Sequence, residues 1–227
     1  MGIAHTGLAS DIGQFFQHNP GLLLSEAIGH IELSAISVAV ALVIGLPIGA
    51  VVGHLHKFSF LAVSGGNVLR ALPTLSVISV GIGIYGFGLT NILVAMVILA
   101  LPLVLTNTYV AVEGVDPGTV EAARGMGLTG WQILWRVELP NSIPLVMAGV
   151  RTSWVYVVAT AYLAGFAGYP GTLGDIITSV GAYGLGGVLA AAAVAIVIAF
   201  AGDFILVAIQ RMLTPAGLKI VPVAVAA

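Results

Sequence analysis

Few side chains in this chain could do chemistry: 7 Lys and Arg, 9 Asp and Glu and 5 His among 227 residues. Four small groups among them stand out. His54 and His56, in HLHK at 54–57, could ligate a metal, but no carboxylate stands beside them in sequence, which favours solvated interface residues over a metal site. His30 and Glu32 could act as an acid and a base, and read more simply as an interfacial pair. The stretch EAARGMGLTGWQILWRVELP at 121–140 gathers Glu121, Arg124, Arg136 and Glu138. Arg151 and Asp203 stand alone inside apolar runs.

None of these groups sets a nucleophile beside a base, and no basic patch of the nucleic-acid-binding kind is visible. A phosphate loop needs a Lys after its glycines, and the only lysines, Lys57 and Lys219, follow no such pattern. Without cysteine there is neither a disulfide framework nor a thiolate metal site. The chain is therefore expected not to be an enzyme and to carry no metal or cofactor of its own.

What surrounds these residues is lipid-like. Hydrophobic residues make up 59% of the chain and charged ones 7%, against roughly 25% charged in soluble domains. Several charge-free runs reach the roughly 20 residues that a membrane-crossing helix needs. They are continuous rather than alternating, which predicts an all-α, polytopic membrane protein and not a barrel. Five transmembrane helices are expected, at about 31–53, 72–85, 91–112, 142–166 and 185–209, in a permease domain over 31–212. Gly45, Gly49 and Gly53 line one face of the first, where another helix can approach closely or where glycine is merely tolerated. YGFGLTN at 85–91 supplies the turn between the second and third. Residues 1–30 are too polar to cross and form an extracytoplasmic segment, in which Asn19 as N-cap and Pro20 at the first position suggest an interfacial helix. Residues 213–227 form a tail. With five spans, Lys57, Arg70, Arg124, Arg136, Arg211 and Lys219 share one side, so that side is cytoplasmic, the N-terminus is outside and the C-terminus inside.

Residues 113–140 then form the longest internal loop. Asp116 caps a helix whose first residue is Pro117, Glu121 suits its positive end, and Gly125 and Gly127 terminate it. TGWQ at 129–132 has the form of a capping box, opening a second short helix that Pro140 closes.

EAA at 121–123, Gly127 four residues later, and Leu139–Pro140 together resemble the EAA loop of permease subunits of binding-protein-dependent ABC importers. NVLRALPTLSVISV at 67–80 and AGVRTSWVYVVATAYLAGFAGYPGTLGDII at 148–177 are similar to stretches of the osmoprotectant (glycine betaine, carnitine, choline) subfamily; D-methionine permeases look alike. The resemblance implies a type I importer permease in the cell membrane. It also implies a loop that docks on a cytoplasmic ATPase subunit through Glu121, Ala122, Ala123 and Gly127, with Arg124, Glu138, Leu139 and Pro140 alongside. The partners implied are ATPase subunits that bind ATP and Mg, a second permease subunit of the same or a sister chain, and an extracytoplasmic binding protein. A gradient-driven secondary transporter is the rival class. Against it stand the single deep carboxylate, Asp203, and the lack of an inverted repeat.

Arg151 lies ten residues into an outward-running helix and Asp203 eight before the end of an inward-running one, so their depths match. An unpaired charge there costs roughly 2.5–3.5 kcal/mol on insertion scales, which predicts an Arg151–Asp203 pair, a structural brace or a substrate contact. Tyr85, Trp154, Tyr156 and Tyr162 could offer aromatic faces to a quaternary ammonium along a translocation path, or anchor the span ends.

Overall fold

Helix α1 (Leu8–His18) is short and amphipathic and is followed by α2 (Pro20–Leu55), which starts with its proline at the first turn. The computed structural model describes residues 7–56, 64–66, 68 and 71–219; Lys57 and Arg70, which bear on orientation, lie outside the described residues, as do most of the expected tail and residues 1–6. Helix α3 (Thr74–Tyr85) and α4 (Leu89–Glu113) follow, then two short helices, α5 (Pro117–Gly125) and α6 (Gly130–Ile133). A π-helical segment over Leu134–Glu138 leads into α7 (Leu139–Thr160), a 3₁₀ turn at Ala161–Ala164, the short α8 (Leu173–Thr178) and the long α9 (Val180–Leu213). A last 3₁₀ turn occupies Ala216–Lys219. No strand occurs among the described residues.

Among the described residues, four helical stretches are long and apolar enough to cross a membrane: Pro20–Leu55, Leu89–Glu113, Gly130–Ala164 and Val180–Leu213. The expected second span is represented by α3, whose 12 residues extend about 18 Å at 1.5 Å per residue, short of the roughly 30 Å hydrocarbon core. The glycine-rich turn before α4 is real, with Gly86 at φ 77° and Gly88 at φ 115°, both in the region open to glycine.

The expected separate helix near residues 19–30 is not formed. Asn19 sends its amide back to the Phe15 carbonyl instead of capping α2, and α2 passes residue 30 without a break. The two polar side chains facing inward there are half-buried Glu26 and buried His30. His30 is fully buried and donates from Nε2 to the Val158 carbonyl of α7 at 3.0 Å, whereas Glu32 faces outward. Consecutive helical residues point about 100° apart, so the expected His30–Glu32 pair does not form.

Helices α2 and α4 pack through the glycine face. Gly45 meets Leu101 and Val104, Gly49 meets Leu105 and Thr108, and Gly53 meets Tyr109 and Val112. A Cβ on Gly49 would stand 2.7 Å from the Leu105 carbonyl oxygen, and backbone cannot step aside as a side-chain tip can. Gly49→Val is therefore expected to destabilise the chain by about 1–3 kcal/mol, the usual range for overpacking. Gly83→Ala, where a Cβ meets nothing within 4 Å, is expected to be neutral or slightly stabilising. Thermal unfolding in detergent compares the two.

Two cores result. One joins α2, α3, α4 and α7 around Leu33, Ile78, Ile92, Met96 and Val157. The other joins α2, α7, α8 and α9 around Leu23, Val158, Leu173, Ile176 and Ala191. The first is rich in Ala, which lets helices approach closely where lipid supplies no hydrophobic drive of its own. The outer face of α9 is a run of exposed apolar residues, including Val197, Phe200 and Phe204.

Candidate coupling loop and intramembrane charge pair

The loop between α4 and α7 is built from local signals. Asp116 Oδ2 accepts from the Thr119 backbone N–H at 2.8 Å and from its hydroxyl at 2.9 Å, closing the start of α5. Those two bonds favour the ionised form and hold the Asp116 carboxyl below its ordinary value. A carboxylate with a depressed folded-state pKa stabilises above its unfolded pKa and loses that contribution as pH falls through the folded one. The cap is therefore intact at neutral pH and weakens only in strong acid.

At the other end, Gly127 adopts φ 83°. Its N–H reaches the Arg124 carbonyl at 3.0 Å and the Leu128 N–H reaches the Ala123 carbonyl at 3.2 Å. This is the Schellman arrangement, which requires the left-handed residue. Gly125, by contrast, is ordinary helix. Thr129 and Gln132 then form the expected reciprocal capping box at the start of α6.

Glu121, Ala122, Arg124 and Gly127 are exposed on α5 and its end, while Ala123 is buried against the rest of the loop. Ala123 thus sets the packing of α5 and offers no surface to another protein. Met126, 74% exposed, is the largest apolar group on this surface. Sequence reading passed over it, although a methionine between two glycines at a helix end is a visible signal.

Pro140 does not close the second helix. A proline ring clashes with the carbonyl four residues back and donates no hydrogen bond. Here the preceding turn is π-helical, with the Leu139 N–H bonded to the Leu134 carbonyl, five residues back. The widened turn absorbs the misfit, and α6 runs through into α7. Leu139 and Pro140 are half-buried and form part of an apolar cleft with Leu46, Pro47, Trp131 and Trp135.

Glu138 also differs from expectation. Its side chain is 3% exposed, and its Oε2 lies 2.6 Å from His54 Nδ1 at the end of α2. His54 therefore has a carboxylate partner, 84 residues away in sequence. Its Nε2 edge lies against Gly130, where an added Cβ would come within 3.3 Å. One imidazole thus ties the end of α2 to both the start of α6 and the foot of α7. Among the described residues no group of three or more His, Cys, Asp or Glu stands in metal-binding array. Glu138→Ala is expected to leave His54 without its partner in a largely dry site and to destabilise the loop by about 1–3 kcal/mol. Faster proteolysis within 113–140 is the measurable sign, with Glu138→Gln retaining more protection than Glu138→Ala.

Within the helices, Arg151 and Asp203 form a side-on pair. Nε donates to Oδ1 at 2.7 Å and an Nη to Oδ2 at 2.9 Å. Such bidentate contacts are the strong form of the interaction. The aromatic residues are dispersed: Tyr85 borders a cleft between α3 and α4, and Tyr156 borders the Arg151–Asp203 cavity. Tyr162 borders a third cavity beside His30, and Trp154 donates from its indole nitrogen to the Ala199 carbonyl at 3.2 Å. They do not converge on one site.

The chain is thus an all-helical protein with several membrane-length apolar helices and a capped loop between two of them. Residues 41–216 match the family described as binding-protein-dependent transport system inner membrane component, and the chain belongs to that family. It is a membrane-spanning permease subunit and not an enzyme. It is 33% identical over 211 residues to the glycine betaine/carnitine/choline transport system permease protein OpuCB of Bacillus subtilis, covering 90% of this chain and 94% of the relative. It is 35% identical over 214 residues to the choline transport system permease protein OpuBB of the same organism, covering 92% and 96%. The osmoprotectant import permease protein OsmW of Salmonella typhimurium is 28% identical, with 92% of this chain and 100% of that protein covered. In fold, the chain is similar to a chain of the inward-facing MetNI methionine ABC transporter, with TM-score 0.74 at 23% identity, covering 86% of this chain and 97% of that one.

Proposed function

We propose that this chain is one of two permease subunits in an ATP-driven importer of a small quaternary amine such as glycine betaine, choline or carnitine. The solute class rests on relatives of 33–35% identity whose names carry those solutes, over nearly the whole chain. The likeness to a methionine transporter extends to fold alone at 23% identity.

The observation that carries the mechanism is the loop at 113–140: a helix fixed at both ends by side-chain and Schellman caps, exposing Glu121, Ala122, Arg124, Met126 and Gly127. Such a rigid element docks on an ATPase subunit and moves as a body. Its displacement passes to α7 through the continuous π segment and to α2 through the Glu138–His54 contact. ATP and Mg belong to the partner ATPase. The Arg151–Asp203 pair braces α7 against α9 within the membrane. The apolar outer face of α9 meets lipid or the second permease subunit, of the same or a sister chain.

In this reading α3 belongs to a fifth crossing. Arg124, Arg136 and Arg211 then lie on the cytoplasmic side, with the N-terminus outside and the C-terminus inside. An extracytoplasmic binding protein delivers the solute to the outer face, where α1 and the 161–178 region lie.

The test is uptake of labelled glycine betaine and choline by vesicles containing this chain, its ATPase and its binding protein. Uptake is expected to require ATP and the binding protein and to survive an uncoupler of the proton gradient. Collapse of uptake with the gradient at constant ATP would reject the ATP-driven reading.

A further inference from the structure

We infer that the cavity at the Arg151–Asp203 pair, lined by α7 and by Asp203 of α9, is a transit site that takes the carboxylate and the ammonium of a zwitterionic quaternary amine together. The inference rests on the solute class proposed above and assigns it a place in this chain. The cavity measures about 350 Å³ and is lined by Ala148, Arg151, Thr152, Val155, Tyr156 and Asp203.

Three observations carry it. The first concerns the unused hydrogen-bonding capacity of Arg151. A guanidinium has five N–H donors. Asp203 takes one from Nε and one from an Nη, and Arg151 has no other partner among the described residues. Arg151 lines the cavity with those donors to spare, and its side chain is 33% exposed and that of Asp203 23%. A carboxylate of the solute fits that free edge, since Arg holds planar oxygen pairs in a fixed geometry. Asp203 fixes the guanidinium plane so that the free edge stays presented.

The second observation is Tyr156, one turn beyond Thr152 on the same face, which lines the same cavity and is 53% exposed overall. A trimethylated nitrogen has no N–H to donate and is recognised by aromatic faces. Asp203 adds negative charge nearby. The cavity thus carries a donor edge for the negative end of the solute and an aromatic face for the positive end.

The third is placement. Arg151, Thr152 and Tyr156 make a polar stripe, partly exposed, in the middle of a membrane-crossing helix. Charged and polar groups at that depth face a water-filled path or another chain rather than lipid. The volume is at the lower end of ordinary small-molecule sites, which suits brief residence of a small solute rather than storage.

The absence of cysteine from the chain makes Thr152→Cys a single reporter. In the complete transporter in lipid vesicles, with ATPase and binding protein present, the introduced thiol is expected to react with a water-soluble trimethylammonium methanethiosulfonate. Glycine betaine with ATP is expected to suppress most of that reaction. In the same vesicles Tyr156→Leu is expected to lower glycine betaine uptake about fivefold, as loss of one cation–π contact implies, while Tyr156→Phe retains it. A thiol at 152 that does not react, or reacts at the same rate with and without solute, would overturn the site, because lipid or a second copy of the chain would then cover it. Uptake by Tyr156→Leu equal to wild type would overturn it as well. If Tyr156→Leu fails to co-purify with the ATPase, the thiol result decides. Wild-type vesicles that carry methionine but no quaternary amine would reject the solute class itself, an outcome visible before any variant is made.

Discussion

Gly127→Val is expected to leave the chain in the membrane but to reduce ATP-driven uptake by an order of magnitude or more. The φ of 83° at this position lies where a β-branched side chain is strained, by about 1–3 kcal/mol. Relief of that strain unwinds the turn, breaking the bonds from Gly127 and Leu128 to the Arg124 and Ala123 carbonyls. The surface of Glu121, Ala122, Arg124 and Met126 then loses its shape, and a partner that reads it loses its seat. Gly125, two residues earlier, is the control. It has helical φ and nothing within 4 Å of an added Cβ, so Gly125→Ala is expected to strengthen α5 by roughly 0.5–1 kcal/mol and to preserve uptake. Equal loss from both substitutions would mean that the loop surface, not the turn conformation, is what the glycines supply.

Asp203→Asn is the second large expected effect. It leaves Arg151 charged and without a partner in the middle of two membrane-crossing helices. The penalty is about 2.5 kcal/mol or more at the bilayer centre. Reduced assembly with the ATPase, measured by co-purification, is the expected result. Arg151→Asp combined with Asp203→Arg restores opposite charges at the same depth and is expected to recover part of the assembly. Failure of the exchange to recover any, with each single substitution damaging, would show that orientation of the guanidinium matters beyond the charge pairing.

The parts of this molecule that were legible in sequence are those governed by local chemistry or by depth. Asp116-Pro117, Gly127 and Thr129–Gln132 each act within four residues, and each forms the cap its pattern suggests. The Arg151–Asp203 contact was legible because helical rise converts residue counts from the span ends into matched depths. Long-range and compensated features were not legible. His54 and Glu138 are 84 residues apart, and no local rule joins them. Pro140 carries a strong stop signal, overridden by a π turn that sequence periodicity does not reveal. The polarity of residues 20–30 pointed to a separate surface helix, because a buried His30 looks like an exposed one until the Val158 carbonyl is in place. The 3₁₀ turn and short α8 after α7 depend on Gly168 and Gly171 at positive φ, each embedded in a run where glycine is too common to single out.

Site-directed cross-linking from the loop at 113–140 to the ATPase tests most directly whether that loop is where the motor pushes. The chain carries no native cysteine, so Ala122→Cys and Met126→Cys can be joined singly to thiols on the ATPase in the assembled transporter. Cross-linking from both positions is expected, with a yield that changes when ATP is bound, and none is expected from Val197→Cys on the apolar face of α9. Absence of cross-links from 122 and 126 in a transporter that still takes up solute with ATP would contradict the assignment of this loop as the coupling element.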